Sequence, residues 1–149
     1  MKCVVQRVRG ASVTIGGEEV ARIGAGLLAL LGVAAGDGAA DVAWMARKVA
    51  ELRIFGDEAG KMNRSLADSR GELLVVSQFT LLGDCRKGRR PSFTGAAPPA
   101  EGERLYEEFL GEAARVANVP VRCGRFGADM LVALENDGPV TLILDSRAP

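Results

Sequence analysis

Histidine is absent from the 149 residues of this chain. That one absence excludes Ser-His-Asp and Cys-His catalysis, HExxH metal centres and any imidazole general base. Chemistry here must come from carboxylates, hydroxyls, backbone dipoles or the substrate itself. Cysteine is sparse and odd in number, with Cys3, Cys85 and Cys123 forming no CxxC pair. Reduced thiols and a cytoplasmic location are expected, and no metal or organic cofactor. Charge of one sign is also missing, because 19 Lys and Arg residues balance 19 Asp and Glu. No global electrostatic footprint therefore marks a nucleic-acid binder. The longest apolar stretch, Leu27–Ala35, is broken by Gly32 and is far too short to span a bilayer. The amino terminus turns polar by Gln6-Arg7, too early for a secretory signal.

What is present suits one globular domain over residues 1–149, with a hydrophobic share of 48% and a charged share of 26%. Cys3–Val8 and Ala11–Ile15 read as short strands separated by Arg9-Gly10, and Gly16-Gly17 turns the chain into a further strand, Glu18–Ile23. Leu27–Val33 is continuous enough to be a strand buried on both faces. Asp37 is placed to cap a helix over Ala39–Leu52, where Val42, Met45, Val49 and Leu52 share one face. Trp44 and Met45 are expected in the core. Arg53–Phe55 is a short strand candidate, Gly56–Ser69 reads as loop, and Glu72–Val76 is an apolar strand running into Ser77-Gln78-Phe79-Thr80. After the irregular stretch Gly83–Pro99, a second helix spans Glu101–Asn118, with Leu105, Phe109, Ala113 and Val116 on its apolar stripe and Pro120 behind it. Val121–Cys123, Met130–Leu134 and Val140–Leu144 are strands, the last two expected as a hairpin. The order predicts a mixed α/β (α+β-like) fold: a layered β/β/α sandwich with barrel-like sheets and two main helices on one side.

Four segments bear on function. Gly138-Pro139 sits between two strand-like runs. Proline has no ladder donor, glycine takes unusual backbone angles, and X-Pro bonds have an accessible cis form. The pair is either a turn or a shaped backbone element that presents its carbonyls. Ser77–Thr80 supplies two hydroxyls, an amide and free N–H groups at a strand end. It is either a capped polar strand end or a set that grips a carbonyl oxygen, and without histidine it is a poor nucleophile set. Arg86-Lys87-Gly88-Arg89-Arg90 is either a solvated basic loop or a phosphate-contacting one, with Phe93 available for anchoring. Gly56–Asn63 contains Gly-x-x-x-Gly-Lys but lacks the rest of a phosphate loop. Asp129 and Glu135 lie roughly 20 Å apart if extended, which does not suit a two-carboxylate glycosidase.

Gln6-Arg7-Val8 with Ala11-Ser12-Val13, Gly26–Val33, Arg53–Phe55 with Gly60–Asn63, Ser77–Leu81, Arg90–Phe93, Gly124–Phe126 with Ala128–Met130, and Asn136–Thr141 occur in this order along nearly the whole chain. Together they resemble the D-aminoacyl-tRNA deacylase (D-tyrosyl-tRNA deacylase) family, and the SQxxL and NxGPxT signatures in combination are specific to it. The resemblance implies a homodimer that hydrolyses the ester between a D-amino acid and the 3′-terminal adenosine of tRNA, and that also accepts glycyl-tRNA. It implies that Gly138-Pro139 is cis and enters the partner subunit's active site. There its carbonyls hold the substrate amino group and the space for an L-side chain is filled. Arg7 matches the arginine that braces this motif. Ser77, Gln78, Phe79 and Thr80 match the adenosine and carbonyl pocket, with the Phe79 N–H as oxyanion donor. Either Thr80 or the RNA 2′-hydroxyl drives the chemistry, and the absence of histidine favours the RNA. The alternatives are a non-catalytic tRNA-binding module that uses Arg86–Arg90, and a structural dimerisation domain in which Gly138-Pro139 is only a turn.

Overall fold

The computed structural model of the chain describes residues 1–148. Strand β1 runs Lys2–Ile15 and turns at Gly16-Gly17 into β2, Glu18–Ile23. Both turn glycines have positive φ, +57° and +84°, as a two-residue hairpin requires. β3 (Gly26–Gly32) follows, then helix α1 (Ala39–Glu51), and the two-stranded pair β4 (Phe55–Gly56) and β5 (Met62–Arg64). A single helical turn, α2 (Leu66–Ser69), leads to β6 (Glu72–Ser77), a 3-10 turn over Phe79–Leu82, and helix α3 (Pro99–Ala117). β7 (Val121–Cys123) and β8 (Leu131–Asp145) complete the order.

The main sheet is ordered β2-β1-β3-β6-β7, with β8 paired along the other edge of β1. β3, β6 and β7 are mutually parallel, and the remaining pairings are antiparallel. One edge of β1 is shared between two partners, β3 against Lys2–Val8 and β2 against Ala11–Ile15. Arg9-Gly10 does not end a strand, as the sequence had suggested. The strand continues through it, with a register shift between Val8 and Gly10. The shift exchanges faces. Cys3 and Val5 point into the core beneath the helices, whereas Val8, Ala11 and Val13 join a second core on the opposite side. An extra residue in a strand bends it and increases its twist, so the sheet curls toward a barrel with α1 and α3 packed on one side.

The doubly buried strands are those with continuous apolar runs. Leu27, Ala29 and Leu31 of β3 face the helices while Leu28 faces the second core. Leu73 and Val75 of β6 face the helices, and Leu74 and Val76 the other way. Val42, Met45 and Val49 of α1 are buried, as the helical spacing predicts, and Leu52 closes the helix at its C-cap. Leu105, Phe109 and Ala113 of α3 fill the same layer, and Val116 is half-buried. Complete burial of Phe109 stabilises by about 2–3 kcal/mol relative to an exposed ring.

Three further expectations change. Asp37 is not the cap of α1. Gly38 holds that position and its N–H is met by Asp41 at 2.9 Å. Asp37 is buried instead, where its carboxylate accepts from the Met1 amine at 2.7 Å, the Ala34 amide at 2.7 Å and Arg147 at 2.9 Å. Gly56–Ser69 is not simply loop, since it holds β5 and α2, the latter opened by a Ser65–Asp68 capping box. The last two runs form no hairpin. They are the two halves of one strand, β8, and both pair with β1.

Candidate functional site

Parallel strands bind ligands beyond their carboxyl ends, and Ser77 stands at the carboxyl end of β6, flanked by β3 and β7. There the backbone leaves the sheet. The Gln78 amide still donates to the Leu31 carbonyl at 2.7 Å, and the chain then enters the 3-10 turn that begins at Phe79. The first N–H groups of a helical turn have no acceptor within it, so the Phe79 amide is presented at the mouth of the site. The Gln78 side-chain amide donates to Thr80 Oγ1 at 2.6 Å. That bond fixes the hydroxyl, and among the described residues no carboxylate or amine is hydrogen-bonded to Thr80. The Phe79 ring is 58% exposed and meets Phe93 edge-on, with ring centroids 5.3 Å apart.

These residues form one wall of a cleft of about 280 Å³. The opposite wall is the β7–β8 connection, chiefly Phe126 and Met130. Phe126 is held by Tyr106 of α3, ring to ring at 5.8 Å, and the Tyr106 hydroxyl donates to the Val75 carbonyl at 3.0 Å. Burial pushes the Tyr106 phenol well above its usual range, so it remains a donor. Among the described residues Asp129 is the one carboxylate that lines the cleft. Among the described residues no three His, Cys, Asp or Glu side chains are grouped to hold a metal ion. The cleft combines apolar side chains with a backbone N–H, a hydroxyl and an amide at its rim, donors of the kind that can hold a carbonyl oxygen.

The second group of sequence-identified residues lies on β8. Val8 pairs with Asn136 and Gln6 with Thr141, so Asp137 to Val140 all stand opposite Arg7 alone. Proline is tolerated there because β8 is an edge strand and the bulge needs no ladder donor. The Gly138–Pro139 peptide bond is cis, Gly138 has φ +158°, and both residues are exposed. Arg7, only 16% exposed, braces the bulge: Nε meets the Asp137 carbonyl and carboxylate, each at 3.1 Å, and Nη1 donates to the Ile54 carbonyl. Asn136 Nδ2 bridges the bulge by donating to the Arg7 carbonyl at 2.9 Å and the Val140 carbonyl at 3.2 Å.

The sequence-identified residues thus separate into two clusters. Ser77, Gln78 and Phe79 line the cleft, with Thr80 tied to Gln78. Arg7, Gly138 and Pro139 gather at the bulge and line no part of that cleft. Phe126 and Met130 had no assigned role in the sequence reading. Their signal was the GRFGADM segment between two strands, but its place opposite Ser77 depends on tertiary packing.

Fold and site define a class of α/β proteins whose pocket rests on backbone donors, an amide and hydroxyls at the end of parallel strands. Within that class the chain belongs to the D-aminoacyl-tRNA deacylase family. The family model described as D-Tyr-tRNA(Tyr) deacylase matches residues 4–145. D-aminoacyl-tRNA deacylase of Chlorobaculum parvum is 57% identical over 98% of this chain and 98% of its own length. That of Thermosipho africanus is 56% identical over 99% and 98%. A solved structure titled c-Myc DNA Unwinding Element Binding Protein superposes with a TM-score of 0.91 at 43% identity, covering 97% of this chain and 98% of that one. A probable eukaryotic D-amino acid tRNA deacylase, 20% identical with a TM-score of 0.81, shares the fold.

Proposed function

We propose that this chain hydrolyses the ester that joins a D-amino acid, or glycine, to the 3′-terminal adenosine of tRNA. It acts as a homodimer in which the partner's Gly138-Pro139 completes each cleft. The observation that carries this reading is the separation of the two clusters. A pocket with carbonyl-holding donors lies on one part of the chain, and an exposed, rigidly braced backbone element faces outward from an edge strand. One chain leaves the pair apart, and a twofold assembly brings one to the other.

In this mechanism adenosine occupies the cleft between Phe126 and the Ser77–Phe79 wall. The ester carbonyl oxygen accepts from the Phe79 N–H, where negative charge develops as water adds. The cleft carries no histidine, and a threonine hydroxyl is barely ionised at neutral pH, so the RNA 2′-hydroxyl assists the attacking water. The C–O ester bond breaks, the tRNA leaves with its terminal hydroxyl protonated, and the free amino acid carries the new oxygen. Selectivity is steric. The Gly138 and Pro139 carbonyls hold the amino group, and the rigid bulge fills the volume an L-side chain needs, while glycine has no side chain to reject. Such a substrate places the enzyme in the cytoplasm, and no helix of the described chain is long and apolar enough to cross a membrane.

The test is release of amino acid from D- and L-tyrosyl-tRNA by the pure protein. Release from the D-form alone is expected. A second reading, a non-catalytic tRNA-binding module, is favoured by the exposed basic segment at Arg86–Arg90. Retention of both substrates with salt-sensitive binding and no release would establish it and overturn the esterase reading.

A further inference from the structure

Between Gly83 and Phe93 the chain projects as a short finger. The Asp84 amide donates to the Ser92 carbonyl at 2.7 Å, and the Ser92 amide returns the bond at 3.0 Å. Gly88, with φ +70°, turns the tip. Asp84 is tied to Arg86, accepting its backbone N–H at 2.9 Å and its guanidinium at 2.9 and 2.7 Å. This fork holds the Asp84 carboxyl far below the usual carboxylate range. Arg86 is therefore committed to the finger's own structure. Lys87, Arg89 and Arg90 are exposed, and none of them enters an ion pair among the described residues. Elsewhere Arg22, Arg104 and Arg115 each face a carboxylate three or four residues away. On a chain with zero net charge, three unneutralised cations within four residues form a local positive tip.

The base of the finger is fixed to the wall of the cleft. Its first arm leaves the 3-10 turn directly, with the Gly83 amide on the Thr80 carbonyl at 3.0 Å. Its second arm returns through Phe93, which packs on Phe79. That arm is then pinned by the Ala97 amide to Val33 and by the Ala35 amide to Gly95, each at 3.0 Å. The tip is thus held near the Phe79 donor by a short, anchored stretch of backbone. From Gly83 to Arg89 the chain reaches at most about 20 Å, a few nucleotides of RNA strand.

We propose that Lys87, Arg89 and Arg90 grip backbone phosphates of the substrate's acceptor strand, just inside the 3′ end whose adenosine occupies the cleft. This rests on the deacylase reading above and adds to it where the RNA body is held. Phosphate contacts set register and affinity without reading sequence, which suits an enzyme that must accept many tRNAs. The finger supplies binding and no chemistry.

The test compares D-tyrosyl-tRNA with D-tyrosyl-adenosine, which has the ester and the 2′-hydroxyl but no phosphates. In the triple variant Lys87→Ser/Arg89→Ser/Arg90→Ser, kcat/KM on the tRNA should fall at least about tenfold at moderate salt, through KM. The log–log salt dependence should flatten by about 2 to 3 units, near 0.7–0.9 per lost phosphate contact. Hydrolysis of D-tyrosyl-adenosine should match wild type. Arg89→Lys/Arg90→Lys should keep the tRNA activity, because a point charge suffices. An unchanged KM and salt slope on tRNA would overturn the proposal. So would an equal loss on both substrates, which would make the finger part of the cleft wall. Failure of the deacylase reading looks different: wild-type protein would then release tyrosine from neither substrate.

Discussion

At the scale of single residues, the proposed chemistry depends on one backbone N–H. Phe79 occupies the first position of its 3-10 turn, where proline is sterically acceptable and removes only a donor that the turn does not use. Two substitutions therefore separate backbone from side chain. Phe79→Leu keeps the N–H and loses the ring contact with Phe93, whereas Phe79→Pro loses both. Phe79→Pro should lower kcat on D-tyrosyl-tRNA by about 100-fold or more beyond Phe79→Leu, the usual scale for one oxyanion donor. Equal rates for the two would remove Phe79 N–H from the mechanism. Thr80→Ala gives the complementary measurement. Its hydroxyl sits 2.6 Å from the Gln78 amide, and among the described residues no base is hydrogen-bonded to it, so the single-turnover rate should fall by less than about tenfold. A loss of several orders of magnitude with tRNA binding intact would make Thr80 the nucleophile.

At the scale of elements, β8 shows where local sequence logic ends. Asn-Asp-Gly-Pro is strong turn chemistry, and a hairpin is the expected outcome for two short apolar runs on either side of it. Instead both runs pair with β1, and the four residues Asp137–Val140 bulge against Arg7. The long-range ladder overrides the local signal, because both halves gain a partner along the full length of β1. β3, β6 and α1 were legible because continuous apolar runs and a period of three to four record burial locally. Asp37 was not, since its partner is the Met1 amine, distant in sequence. The Ser77–Thr80 wall was legible as a strand exit, and its counterpart at Phe126 was not, because only folding brings the two together. In the proposed site the bulge makes Arg7 a positioning residue. Its guanidinium bonds Asp137 and Ile54 at once from a mostly buried place. Arg7→Met should destabilise the fold by about 2–3 kcal/mol in denaturant unfolding. Arg7→Lys should recover little, because an ammonium cannot reproduce the planar fork. Full recovery by lysine would reduce the role of Arg7 to charge alone.

At the scale of the whole molecule, the missing histidines set the pH response. The carboxyls of Asp41, Asp57, Asp68 and Asp84 are all held below their usual range, by Ser146, by Asn63, by the Ser65 amide and by Arg86 respectively. A group whose folded pKa is depressed contributes fully above its unfolded value, near 3.9, and loses that contribution as pH falls. Burial raises the Cys3 thiol and the Tyr106 phenol, so their contributions are complete at neutral pH and fade only in alkali. Tm should therefore be flat from about pH 5 to 7 and fall below about pH 4; a transition centred near pH 6.5 would contradict this. The proposed twofold assembly has a sharper test. Ile143 and Leu131 on β8 are 79% and 71% exposed, on a strand with one unpaired edge, and these features suit an interface. A Cβ on Gly138 would stand 2.1 Å from the Val140 nitrogen, so Gly138→Ala should disrupt the bulge and cut turnover. Phe79→Pro should disable the cleft. If the partner's Gly138-Pro139 completes each cleft, a mixed dimer has one cleft with both defects and one with neither. Unfolding and refolding the two inactive variants together at equal amounts should then restore about a quarter of wild-type activity, since half the dimers are mixed and each carries one intact site. If each chain completes its own cleft, every site in the mixture carries a defect and no activity returns.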